Sequence, residues 1–218
     1  MVPSVPIHFR GPAVPRRTPL RAGLGYDAAP AASIEVVSVV NTLKSGLIVE
    51  VPEAEPAVGE PRSRMDGSAR LGIPAHITVL FPFMPPAHID DAVLRRLACV
   101  FAAAPAFEHR LVRTSWFDED VLWLAPEDDS PFRSLTESVH REFPDYAPFG
   151  GQYENVVPHL TIADRCPLEQ MQSAEHLVEK HLPISCVAAG VSLVVQRDAS
   201  GAWTRSTSFA LGEVPAGR

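Results

Sequence analysis

The chain has 218 residues, of which 46% are hydrophobic and 21% charged. That is enough apolar surface for one sizeable core, and too little length for two domains of ordinary size. A net charge of −7 argues against a protein that coats nucleic acid through a broad basic face. No apolar run approaches the roughly 18 residues of a membrane-spanning helix. Cys99, Cys166 and Cys186 form no CxxC pair, which fits a reducing cytoplasm and supplies neither a disulfide framework nor a zinc-finger spacing.

Six prolines and four arginines against a single acid mark residues 1–33 as a disordered tail that cannot offset its ordering entropy. Recurrent proline also blocks the amphipathic helix of a transit peptide, and a misassigned start is the other reading of this stretch. Residues 34–212 form the expected folded domain, with a flexible C-terminus at 213–218. Leu43 to Val51 reads as a strand. Pro52 to Pro74 reads as a long polar loop, and Ala75 to Phe83 as a second strand. Ile89 to Phe101 has a helical apolar period. Phe107 to Phe117 and Val121 to Ala125 form a strand pair across an acidic turn. Ser130–Pro131 begins a helix with Phe132, Leu135, Val139 and Phe143 on one face. Val156 to Ala163 is a strand, and Pro167 to His181 a helix with Leu168, Met171, Leu177 and Val178 as its stripe. Ile184 to Gln196 and Trp203 to Leu211 form a final pair. The order strand, helix, strand pair thus occurs twice, which predicts two similar α+β lobes with a cleft between them.

The two repeated strands share a pattern: Pro74-Ala75-His76-Ile77-Thr78-Val79 and Pro158-His159-Leu160-Thr161-Ile162. Residues i and i+2 of a strand project from one face, so His76 points with Thr78 and His159 with Thr161, while Ile77, Val79, Phe81, Leu160 and Ile162 turn to the core. A pseudo-twofold would bring both pairs to one point. Two imidazoles titrate near neutrality and can serve a phosphodiester as base and acid. Two hydroxyls can hold its non-bridging oxygens in line. Such chemistry calls for no metal and no cofactor. One chance His-x-Thr triplet is expected only roughly 0.3 times in a chain of this composition, so two at matching points weigh against coincidence.

These paired strands resemble the two-histidine (2H) phosphoesterase superfamily, and the stretch from Gly72 to Phe83 is similar to its 2'-5' RNA ligase branch. The resemblance covers about Leu43 to Leu211. It implies an α+β bilobal fold in which two antiparallel sheets flank a central cleft and helices pack outside. It also implies an enzyme acting on 2',3'-cyclic phosphates or 2'-5' linkages of RNA ends or nucleotides, with His76 and His159 as the acid/base pair and Thr78 and Thr161 as phosphate binders. The alternatives are a noncatalytic RNA-end-binding module and a 2H enzyme for another small cyclic phosphate. Further substrate contacts are expected from Arg62, Arg64 and Arg70 in the loop before His76, from Arg165 beyond the second motif, and from Phe149 and Tyr153 as stacking surfaces. A monomer in the cytoplasm, with no membrane partner, is expected.

Overall fold

The computed structural model describes residues 43–153 and 155–213. The expected tail at 1–33 and all but the first residue of the expected flexible C-terminus lie outside them. Eight strands are found there: β1 (Ser45–Glu50), β2 (His76–Leu80), β3 (Phe107–Phe117), β4 (Val121–Pro126), β5 (Leu160–Asp164), β6 (Ile184–Ala188), β7 (Gly190–Gln196) and β8 (Trp203–Ala210). They form two four-stranded antiparallel sheets, in the orders β2-β1-β7-β8 and β5-β4-β3-β6. The helices are α1 (Glu55–Met65), α2 (Gly67–Arg70), α3 (Asp91–Ala102), α4 (Ser130–Glu142) and α5 (Leu168–Val178). The architecture is the expected pairing of sheets with helices outside.

The pleat of each sheet separates core from cleft. On β1, Leu47 and Val49 join the main core while Ile48 lies in a separate cluster with Ile73, Val194 and Trp203. On β4, Leu122 and Leu124 enter the core, whereas Val121, Trp123 and Ala125 cluster on the other face with Phe117 and Val157. Side chains alternate along a strand, so each central strand is buried twice: once under helices and once toward the space between the sheets.

Helices cover the outer faces as their apolar periods require. Asp90 caps α3, its carboxylate accepting from the Val93 N–H at 2.9 Å, and Val93, Leu97 and Phe101 are buried. Helix α4 buries Phe132, Leu135 and Val139, and the Thr136 hydroxyl donates to the Val79 carbonyl of β2 at 2.7 Å. Ser130 is the first residue of α4 rather than its cap, a position taken by Asp129. On α5 the buried stripe is Met171, Ala174 and Val178; Leu168 and Leu177 are exposed, because alanine fills the inward position against the core and turns the apolar face away from both leucines.

Three further expectations change. The supposed loop Pro52 to Pro74 contains α1 and α2. Pro56 lies in the first turn of α1, where proline is tolerated. Val58, Pro61, Arg62 and Met65 form the buried face, packed on β5 and α5. Prolines and a buried arginine break the visible apolar period. Ile184 to Gln196 is two strands in different sheets. Gly190 opens the second, and a Cβ there would stand 2.7 Å from the Phe209 carbonyl oxygen. Finally, the lobes are not consecutive halves of the chain. The pair after β2 (β3–β4) joins the sheet of β5, and the pair after β5 and β6 (β7–β8) joins the sheet of β2. The duplication survives with its strand pairs exchanged.

Candidate active site

The two motif strands are edge strands, β2 beside β1 and β5 beside β4; β5 begins at Leu160, so the strand expected from Val156 is shorter and His159 stands just before it. Each contains a bulge at the same place. Ile48 pairs with Thr78 but Leu47 with Leu80, leaving Val79 extra; Trp123 pairs with Thr161 but Leu122 with Ala163, leaving Ile162 extra. A bulge shifts the alternation by one residue and re-aims the side chains beyond it. Val79 and Leu80 are therefore both buried, as are Ile162 and Ala163, and Phe81 and Asp164 turn to the cleft. The expectation that Phe81 faces the core is corrected by this bulge. Its ring instead meets Trp203 edge-on, centroids 5.9 Å apart.

His76, Thr78, His159 and Thr161 line one cleft of about 420 Å³. Both imidazoles are held the same way. His76 Nδ1 lies 2.8 Å from the Pro74 carbonyl and His159 Nδ1 2.7 Å from that of Val157. A carbonyl only accepts, so Nδ1 carries the proton in each ring and Nε2 is left for chemistry. Burial pushes the His76 imidazole down to about 4; the Arg62 charge and His159 push the same way, against the Pro74 carbonyl and Asp66. His159 is also lowered, by burial, against the Val157 carbonyl. Phe117 and Trp123 supply aromatic surroundings to it, at centroid distances of 5.0 and 5.6 Å. Both rings are thus held toward their neutral form.

The other expected residues divide. Arg165 lines the cleft, its backbone held at φ 50° with its N–H on the Asp120 carbonyl and its side chain 3.4 Å from Asp164. Burial raises the Asp164 carboxyl, opposed by Arg165 and reinforced by Asp66 and Asp120. Phe149 lines the cleft, whereas Tyr153 borders a neighbouring depression with Arg133 and Thr136. Among the described residues lining the cleft, none of Arg62, Arg64 and Arg70 is found. Arg62 is 2% exposed and ion-paired with Asp66 at 2.7 Å. Arg64 pairs with Glu60 on the outside of α1, and Arg70 donates to the Arg64 carbonyl. A helix in place of the loop carries these side chains away from the cleft. Lys44, Asp66, Asp164 and Trp203 also line the cleft, and sequence reasoning missed all four. Asp66 sits in the stretch that reads as a loop, Asp164 lies beyond the bulge, and Lys44 and Trp203 belong to no motif. Among the described residues, no group of three His, Cys, Asp or Glu is arranged to hold a metal ion.

The 2'-5' RNA ligase superfamily model matches residues 50–200, which include both motifs. The chain belongs to that superfamily. It is accordingly one of the 2H phosphoesterases, a family of phosphoesterase and ligase-type enzymes. Solved structures share its fold. TT0787 of Thermus thermophilus aligns over 78% of this chain and 100% of its own, at 20% identity and a TM-score of 0.54. E. coli LigT complexed with 3'-AMP aligns over 78% and 98%, at 14% identity and a TM-score of 0.52. No curated protein sequence matches the chain. Among the described residues of this 2H protein, no helix is long and apolar enough to cross a membrane.

Proposed function

We propose that the protein is a metal-independent phosphoesterase that opens 2',3'-cyclic phosphates at RNA ends or on nucleotides. The observation that carries the reading is the matched pair of imidazoles in one cleft, each tied at Nδ1 and accompanied by its own threonine. Thr78 and Thr161 donate to the non-bridging oxygens and hold phosphorus in line. One Nε2 takes a proton from water as its oxygen attacks phosphorus. The other histidine, protonated on arrival of the anionic substrate, gives its proton to the departing ribose oxygen as the P–O bond breaks. A 2'-5' linkage arises when a ribose 5'-hydroxyl takes the place of water: its oxygen bonds phosphorus as the P–O3' bond breaks, one histidine taking the hydroxyl proton and the other protonating the 3'-oxygen. Arg165, beside the two pairs, supplies a cation for the phosphate, and Phe149 and Trp203 offer surfaces for a base. The unpaired cysteines suit action in the cytoplasm.

Incubation with the four 2',3'-cyclic nucleotides in EDTA, with chromatography of the 2'- and 3'-monophosphates, tests the proposal. Turnover to a single regioisomer is expected. Binding without turnover would favour an RNA-end-binding module, and activity restored only by added metal would overturn the mechanism.

A further inference from the structure

Each histidine comes three residues after a carbonyl held by an arginine from the helix preceding its strand. Arg62 of α1 donates to the Ile73 carbonyl at 3.4 Å, and Arg133 of α4 donates to the Val156 carbonyl at 2.6 Å. Each arginine is itself fixed by an aspartate one helical turn away, Asp66 at 2.7 Å and Asp129 at 2.7 Å. These segments also contain the carbonyls, Pro74 and Val157, that receive the imidazole Nδ1–H. In the first half, Glu55 of α1 adds a second anchor by accepting from the Ala75 N–H at 2.6 Å. Pro74 is therefore pinned on both sides.

We propose that the Arg62–Asp66 and Arg133–Asp129 pairs are matched clamps that position His76 and His159, and that burial of the first clamp additionally fits His76 for the base role. The positioning part stands on the hydrogen bonds alone; the assignment of a base rests on the phosphoesterase reading. The difference between the clamps is burial. Arg62 is shielded from solvent, so its charge reaches His76, while Arg133 is more than a third exposed and is screened. The charges around His76 are few. Arg62 and Asp66 act from the α1 side and His159 from across the cleft; Glu55, on the Ala75 N–H beside His76, lies 3.9 Å from the Arg62 guanidinium, and Lys44 shares the cleft. Glu50 lies opposite on β1 but is paired with Arg205 at 3.3 Å, and Asp164 with Arg165 at 3.4 Å. The guanidinium outweighs the Asp66 carboxylate at His76.

The test is NMR titration of both imidazoles in the full-length protein and in Arg62→Met, Arg62→Lys, Asp66→Asn, Arg133→Met and Arg133→Lys. Removing Arg62 leaves Asp66 and Glu55 uncompensated and should raise the His76 midpoint by about 1 pH unit or more. Asp66→Asn should lower it. His159 should hold its midpoint in both. Arg133→Met should leave both midpoints in place yet broaden the Nδ1–H resonance of His159 alone, with the lysine variant restoring part of it. Opposite shifts at His76 uphold the clamp even if wild-type protein turns over no cyclic nucleotide, an outcome that would remove only the phosphoesterase reading. Should Arg62→Met not fold, Arg62→Lys, which keeps the charge, should leave the His76 midpoint nearly in place while Asp66→Asn lowers it, and a fall in both or in neither would overturn the proposal equally. Shifts of one sign in Arg62→Met and Asp66→Asn, or both histidines moving together, would reduce the pairs to ordinary scaffolding and overturn the proposal.

Discussion

The β2 and β5 halves of the site share a backbone and differ in what surrounds it. Each has an edge strand, a bulge one residue after the threonine, and an imidazole bound to the carbonyl two residues before it. Around His76 lies a buried charge cluster; around His159 lie the rings of Phe117 and Trp123. Equal geometry with unequal electrostatics suits the proposed division of the pair into one acid and one base.

The largest test of this comparison is removal of either imidazole. His76→Ala and His159→Ala should each reduce turnover of a cyclic nucleotide by about 10²–10⁴-fold, the range for one general acid or base. If one variant kept wild-type activity, the halves would not be partners. Thr78→Ala and Thr161→Ala should cost about 10-fold each, in keeping with one hydrogen bond to a charged group, and steady-state kinetics on both variants would measure it. Phe117→Ala opens the apolar side of His159. Its NMR midpoint should rise toward the ordinary imidazole value while His76 stays where it is, because desolvation is the cause being removed. The smallest contrast concerns cations. Arg165→Ala should raise KM by about threefold to tenfold, a solvent-screened share of a charge-assisted contact. Arg64→Ala and Arg70→Ala, at exposed positions on α1 and α2, should leave it unchanged.

Acid stability offers an independent view of the same pair. His76 titrates near 4 when folded and near the ordinary 6.5 when unfolded. The unfolded chain therefore takes up a proton first as pH falls, and stability should drop between those values. Denaturant melts at pH 7 and pH 4.5 should differ less for His76→Gln than for the wild type.

The motif strands were legible because alternation and a repeated triplet survive in the residues themselves: Ile77 and Leu160 inward, His76 and Thr161 toward the cleft. The β3–β4 hairpin and α4 were equally plain. What escaped was set by tertiary contacts. Helix α1 hides its period because Pro61 and Arg62 occupy its buried face, the arginine being tolerated there because Asp66, Ser68 and the Ile73 carbonyl accept its N–H groups. The bulges that bring Phe81 and Asp164 to the cleft, and the break at Ala189 that moves the chain between sheets, depend on partner strands lying far away in sequence.

The most direct measurement is the pH dependence of kcat/KM for a 2',3'-cyclic nucleotide, in EDTA. Both imidazoles are depressed in the free protein, so the profile should be a bell with its optimum below pH 7, falling on the alkaline side as the acid histidine loses its proton. His76→Ala should erase the acid limb and His159→Ala the alkaline one. A rate that climbs through neutrality without an alkaline limb, or that is indifferent to both histidines, would contradict two-histidine catalysis in this cleft.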